Sequence, residues 1–533
     1  LYHNYEGWGW YRRIVNIPDE WMRGRIWLVI GGAAETTKAF INGKDAGNHY
    51  GFSTPFRFDI TKAVHSGQNE IVLAVSNLPK SKQILPPGKH HYEDPTGCFN
   101  YLARWGGIYR SVFLESTAST WIQDCYVIPR PLDERIEVKF EIGGEKTNGR
   151  IQVDVEGTVE EISVDNNGTG TLSVSLPNPR LWSPEDPALY NAFIRLLGEK
   201  GNKVDERCVS FGMREISIKG NHILLNGQPY YFNGYGDDCF EVLSGFPPTD
   251  KEIYRERLLM MKACGFNAVR HHSWVPTQEY FEVADEVGML IQAELPAVYA
   301  GFFLPNLHFF QQELINVLKT HCNHPSFFAI AMGNEFYGTM QNYLSRGIDF
   351  DRGIEKLYHL AKQHFQTGLV MSNSGARFYP SDIDIIPVGI VSPLDKPVIA
   401  HEMGGYGCSL PDIYSRDKFT GAVRPTWPET KLEWVLKSGW KGLYHDILKN
   451  SQKLLQLCRK FGMERARMQT NCSGYYWWLG TDFPAGAEGD AWYEGIVDSF
   501  WKPKGFKPDE MCRFNNRTVL FTDVPMAYMN IWD

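Results

Sequence analysis

Between Tyr231 and Leu479 the chain repeats one unit, a short apolar run followed by a helical run and then another short apolar run. This succession demands parallel strands, because each helix must return the chain across the sheet before the next strand can pair. The unit is clearest at its start. Thr249-Asp250-Lys251-Glu252 reads as a capping box opening "EIYRERLLMMKAC", and Gly265 stands where a C-terminal cap is wanted. A strand at Asn267 to Arg270 follows, then a helix in "TQEYFEVADEVG" ending at Gly288, then a strand in "MLIQAEL". Strand cores are expected at Tyr231–Gly236, Ala268–His271, Leu290–Leu295, Phe328–Glu335, Leu369–Asn373, Ile383–Val388, Val398–Glu402 and Tyr475–Leu479. Eight such units over about 300 residues suit a closed (β/α)8 TIM barrel, placed at residues 214–514, better than an open sheet.

The chain before the barrel has a two-residue rhythm. Residues 1–120 read as an antiparallel β-sandwich, with Asn42-Gly43 between two alternating runs as its strongest hairpin signal. Residues 121–213 read as a second, immunoglobulin-like β-sandwich, with "IEVKFEIGG", "GRIQVDVEG" and "GTLSVSLPN" as successive strands. Residues 515–533 are expected to begin a further β segment. The fold expected is therefore multidomain, two β-sandwiches followed by a TIM barrel.

Composition narrows the partners. The net charge of -8, with Lys and Arg spread rather than gathered, argues against nucleic acid. No apolar run approaches the ~20 residues of a membrane span, so no membrane partner is expected. The ten Cys form no Cys-x-x-Cys pair, which speaks against a zinc ribbon and leaves the redox compartment open. His271, His272, His321, His324 and His401 invite a metal reading, but "HPS" gives His324 a structural role, and neither metal nor cofactor is expected. A periplasmic or secreted location is favoured slightly over a cytoplasmic one. Homo-oligomerisation is compatible with the sequence.

In a barrel of this kind the active site gathers at the carboxyl ends of the strands. Those ends carry Asp237 and Asp238, Arg270 with His271 and His272, Glu294, Asn334 with Glu335, and His401 with Glu402. Glu335 and Glu402 each terminate an apolar strand, and the fourth and seventh strands face each other across the mouth. Alone, either Glu could be an ordinary strand-end carboxylate capped by a neighbour. Together they match what glycosidic bond cleavage needs, one group to protonate the leaving oxygen and one to attack or to activate water. Asp237, Asp238 and Glu294 are expected around the mouth, accepting from neutral hydroxyls and repelling a uronate. Trp274, Trp477 and Trp478 stand where a sugar-stacking platform would lie, with core packing the alternative for one of the adjacent pair. His272 and His401 are placed to bind substrate or orient a Glu, with a packed, satisfied core histidine the alternative for each, and Arg270 to line the same pocket.

Several motifs carry a resemblance to glycoside hydrolase family 2, the group of β-galactosidases, β-glucuronidases and β-mannosidases. "EGWGWYRRIVNIPDEW" and "FINGKDAGNHYGFSTPFRFDIT" resemble its jelly-roll-like sugar-binding sandwich, and "LWSPEDPALY" the close of its immunoglobulin-like domain. "FGMREISIKGNHILLNGQPYYFNG" resembles its entry into the barrel, "HPSFFAIAMGNE" its acid/base motif and "KPVIAHEMG" its nucleophile motif. The resemblance implies a retaining exo-β-glycosidase acting on a carbohydrate substrate, with Glu335 as acid/base, Glu402 as nucleophile and Asn334 on the sugar 2-hydroxyl; Tyr379, in "GARFYP", is a candidate for donating a hydrogen bond to the nucleophile. Two features depart from the best-known members. "NGYGDD" replaces the Asn-Arg-His-Glu-like run of common galactosidases, and "AWYEG" lacks the Asn-x-Lys reader of glucuronidases, with Lys502 and Lys504 read as surface or loop residues. "VRHHSWVP", "LIQAELP" and "TDFPAGAEGDAWYEGIVDSFWKPKG" resemble a less characterised branch from polysaccharide-degrading bacteria. A β-galactosidase-like specificity is expected. The alternatives are a β-glucuronidase or β-galacturonidase and a catalytically silent carbohydrate-binding protein.

Overall fold

The computed structural model describes residues 5, 7–78, 106–145, 147–239, 241–297, 307–334, 347–372, 374–375, 384–385, 396–404, 409–423, 425, 427–483 and 493–520. Glu335 and Tyr379 lie outside the described residues, as does most of the expected strand at Ile383–Val388 and of the expected terminal β segment.

The first sandwich faces a four-stranded antiparallel sheet against a three-stranded one. Trp8–Ile17, Gly67–Ser76, Thr36–Ile41 and Lys44–Tyr50 form the first in that spatial order; Phe56–Asp59, Arg25–Ile30 and Val112–Thr117 form the second. Ile26, Leu28, Ile30, Ile41, Leu73 and Val75 fill the space between them. The hairpin closes at Asn42 and Gly43, whose φ values of 50° and 76° put both in the left-handed region that Asn and Gly tolerate.

The second sandwich pairs Thr120–Arg130, Arg135–Gly144 and Thr169–Ser175 against Thr158–Ser163, Arg150–Val155, Tyr190–Leu197 and Lys203–Phe211. Alternation decides its core. Ile136, Val138, Ile151, Val153 and Ile194 point inward, and the residues between them are more exposed. The loop before its last two strands anchors it to the barrel, because Trp182 of "LWSPEDPALY" is wholly buried and donates its indole N–H to the Asp285 carbonyl at 3.0 Å.

The barrel strands are parallel. Phe232–Asp237, Ala268–His271, Leu290–Glu294, Phe327–Ala331 and Leu369–Met371 follow one another as the first five. Val398–Gly404 and Cys472–Trp478 take the seventh and eighth places, and the eighth pairs back with the first, Phe232 opposite Gly474. In the sixth place Ile385 makes a parallel bridge to Met371. Interior side chains from seven strands, Phe232, Ala268, Leu290, Phe328, Leu369, Ile399 and Tyr476, pack with Ile223 of the short hairpin that precedes the barrel. This layer fills the interior, so polar chemistry is confined to the carboxyl ends.

The first crossover helix, Lys251–Ala263, starts one residue later than the sequence pattern suggested. Asp250, not Thr249, is the N-cap, its carboxylate accepting from the Glu252 backbone N–H at 2.9 Å. Gln278–Val287 is capped by Thr277 and stopped by Gly288 at φ 73°. The sandwich reaches the barrel directly through Arg110, hydrogen-bonded to Glu279, and through Tyr50 against Phe309 with centroids 5.1 Å apart.

Candidate active site

The site is organised by one guanidinium. Arg270, on the second strand, is completely buried and donates Nε to Glu294 Oε1 at 2.6 Å, Nη1 to Glu402 Oε1 at 2.8 Å and Nη2 to Asn334 Oδ1 at 2.7 Å. Three strand ends are thereby tied through one rigid, permanently charged fork. Trp478, the last residue of the eighth strand, lies under it, with the guanidinium carbon 5.4 Å from the ring centroid.

Glu402 owes its aim to a bulge. Opposite the eighth strand, Ala400 pairs with Tyr475 and Met403 with Trp477, so three steps on the seventh strand match two on its partner. The extra residue cancels the usual alternation, and His401 and Glu402 both reach the mouth. Glu402 sits at φ 43°, a left-handed conformation that costs an ordinary side chain about 1 kcal/mol or more and is found where a site demands it. His401 Nε2 lies 3.1 Å from Glu402 Oε1 and 3.2 Å from Asn334 Oδ1. Burial opposes ionisation of Glu402, but His401, Arg270 and His272 outweigh it and hold the carboxyl well below the usual carboxylate range.

Asp238 and His272 form a second pair, Oδ1 to Nδ1 at 3.0 Å. The His272 Nε2 faces the Asn334 amide nitrogen at 2.8 Å, and its ring is tilted against Trp478 with centroids 5.1 Å apart. Burial pushes the Asp238 carboxyl up while His272 pulls against it. Burial disfavours charge on His272, yet Asp238 outweighs that and raises its proton affinity.

Arg270, Glu294, Asn334, His401, Glu402, Asp238, His272 and Trp478 therefore converge. Four expectations require correction. Glu294 does not line the mouth: it is wholly buried, both oxygens are taken by Arg270, and the Ser273 backbone N–H, Gln292 and the Ser374 hydroxyl also donate to it. Trp274 is no platform, since it is buried edge-on to His271 and Tyr280 and donates Nε1 to the Asp237 carbonyl at 3.1 Å. Nor is Lys504 a surface residue; it is buried, with Nζ 2.6 Å from Asp482 Oδ1 and also bonded to the Tyr493 carbonyl. Asp237 turns inward as well. Its Oδ1 accepts from the Cys239 N–H at 2.8 Å, and burial pushes its carboxyl up to about 7.

Trp477 belongs to the barrel core. Among the described residues no group of three His, Cys, Asp or Glu is arranged to hold a metal ion. The sequence reading missed Gln292, Ser273 and Ser374. Gln292 was within reach, because it stands two residues before Glu294 and so shares its face of the strand.

Models of glycosyl hydrolases family 2 match three successive stretches: the sugar binding domain over residues 2–118, the family's own domain over 120–214 and its TIM barrel domain over 216–396. The chain belongs to this family. A β-glucuronidase from Paenibacillus borealis is 28% identical over 352 residues, 61% of this chain and 58% of that protein. A β-galactosidase from Oenococcus oeni is 25% identical over 382 residues, 64% of this chain and 36% of that protein. The chain thus spans about half the length, or less, of these curated relatives, 58% and 36%. The crystal structure of a β-galacturonidase from Eisenbergiella tayi bound to galacturonate superposes with a TM-score of 0.72 at 18% identity, covering 96% of this chain and 90% of that one. At that identity the likeness speaks for the fold. No helix among the described residues is long and apolar enough to cross a membrane.

Proposed function

We propose that the chain is a retaining exo-β-glycosidase that removes a terminal β-linked sugar by double displacement. The observation that carries this reading is how the Glu402 carboxylate is held. Oε1 is engaged by Arg270 and His401, whereas no hydrogen bond or ion pair reaches Oε2 among the described residues. An ionised carboxylate with one oxygen fixed and the other open suits attack on an anomeric carbon.

In the first step Oε2 bonds to that carbon as its bond to the leaving oxygen breaks, and Glu335 gives the leaving oxygen its proton. In the second, Glu335 takes a proton from water, whose oxygen displaces Glu402. Asn334 holds the sugar O2, an interaction that strengthens as the transition state gains oxocarbenium character. Glu335 enters on sequence, as the residue next to Asn334 and the partner of Glu402 in the family motifs.

For the sugar we favour a neutral β-galactoside. Arg270 is committed to Glu294 and Glu402, and Lys504 to Asp482, so no uncommitted cation among these described groups awaits a uronate. Unpaired, a uronate entering beside Glu402 and Asp238 meets repulsion of ~1–3 kcal/mol, about tenfold to a hundredfold in kcat/KM. The 28% identity to a β-glucuronidase supports the second reading, a β-uronide. A panel of nitrophenyl glycosides at pH 6 to 7 decides. Faster release from the galactoside supports the first reading and faster release from the glucuronide or galacturonide the second. No release from any sugar, with measurable glycan binding, means a silent carbohydrate-binding protein and ends the enzymatic account.

A further inference from the structure

The contacts around Asn334 fix more than its position. Arg270 has only N–H groups to offer, so the Asn334 atom 2.7 Å from Nη2 must be the carbonyl oxygen. The single N–H of His401 Nε2, 3.2 Å from the same oxygen and 3.1 Å from Glu402 Oε1, is shared between them and faces its second lone pair. The Asn334 NH2 group therefore points the other way, at His272 Nε2 2.8 Å off. A donor there requires an acceptor, so His272 Nε2 is bare and the ring proton sits on Nδ1, 3.0 Å from Asp238 Oδ1 in an ion-pair contact rather than an aligned hydrogen bond. Each assignment forces the next.

We infer that Asp238 and His272 are positioning residues for the reaction: Asp238 holds His272 in the Nδ1–H tautomer, and the bare Nε2 aims the Asn334 amide so that its second N–H meets the sugar O2. This inference rests on the glycosidase reading and adds a demand on the substrate. With both lone pairs of Oδ1 occupied, Asn334 can only donate, so position 2 of the sugar must carry an acceptor. Asp238 also draws a second proton toward the ring, and Asn334 resists it, since Nε2–H would place two donors face to face. Arg270, His401 and Glu402, whose Oε1 is 3.9 Å from Nε2, are the other charged or titratable groups around the ring. Nothing in "VRHHSWVP" alone reveals the relay, because Asp238, His272 and Asn334 come from three different strand ends.

Two measurements test it. Histidine 15N spectra at pH 8, with the His272 resonances identified by their absence in His272→Gln, report the tautomer without any turnover. The expected pattern is a protonated Nδ1 and a bare Nε2 in the wild type, lost or mixed in Asp238→Asn. A wild-type proton on Nε2 overturns the inference. Kinetically, Asp238→Asn should cut kcat on a nitrophenyl glycoside about tenfold to a hundredfold with little change in KM, and cost the 2-deoxy analogue much less. The wild-type preference for the 2-hydroxy sugar then collapses. Equal losses on both sugars, or none, overturn the positioning role. If the wild type cleaves no glycoside, the proposed function falls by itself, while the spectra still decide the tautomer.

Discussion

Arg270 reaches Glu294 and Glu402 at once, Nε to one at 2.6 Å and Nη1 to the other at 2.8 Å, and is itself wholly buried. One cation thus balances two carboxylates of opposite purpose. Glu294, closed in on every side, serves to hold the guanidinium in plane. Glu402, partly open, is held by the same guanidinium through Oε1 and is the carboxylate the proposed mechanism uses. This arrangement explains why so acidic a strand end is stable, since a charge buried without a partner would cost several kcal/mol.

Arg270→Lys should keep the charge and lose the fork. A lysine cannot serve Glu294, Glu402 and Asn334 together, so kcat/KM is expected to fall about 100-fold or more. Arg270→Met leaves the buried Glu294 without its cation and Glu402 with His401 alone, and should cost about 3–5 kcal/mol, read as a drop in Tm. A methionine variant as stable as the wild type would mean that this pairing is misread.

Trp182→Ala should loosen the second sandwich from the barrel. The wild-type ring is fully buried against barrel residues and its N–H bonds to Asp285, so the truncation should cost about 3–5 kcal/mol. Calorimetry is expected to show the variant unfolding in one more transition than the wild type. An unchanged number of transitions contradicts this.

Glu313 gives a stability signal that depends on pH. It lies on the barrel helix Leu307–His321, buried, beside Gly51 of the first sandwich, and burial raises its carboxyl to about 7 from an ordinary 4.5. The folded protein therefore binds this proton more tightly than the unfolded chain does. Its stabilisation is full below about pH 4.5 and is lost as pH rises through about 7, a span of 2.5 pH units or about 3 kcal/mol. Glu313→Gln should accordingly gain Tm relative to wild type at pH 8 over pH 5. Parallel Tm profiles for the two proteins across that range would exclude this assignment.

Much of this was legible beforehand where local chemistry decides. The strand Ala268–His271 has the bounds its apolar run and flanking Gly265 imply, and Asn42-Gly43 closes the hairpin its left-handed tolerance suggests. Both Thr249 and Asp250 are good caps, and only the folded chain shows Asp250 accepting from Glu252. The fate of Glu294 was hidden for a different reason. Its neutralisation needs Arg270, which lies 24 residues away, on another strand, and the Glu402 bulge needs a register with the eighth strand that no local pattern states. Lys504 misled because sequence alone does not reveal that Asp482, 22 residues earlier, waits beneath it.

The central claim is that Glu402 is the nucleophile, and trapping it is the direct test. The wild type is incubated with an activated 2-deoxy-2-fluoro-β-glycoside of the preferred sugar, digested, and mapped by mass spectrometry. The account predicts one covalent glycosyl group, on Glu402, and none in Glu402→Gln, whose amide cannot attack. A label on any other residue, or turnover that continues in Glu402→Gln, contradicts it.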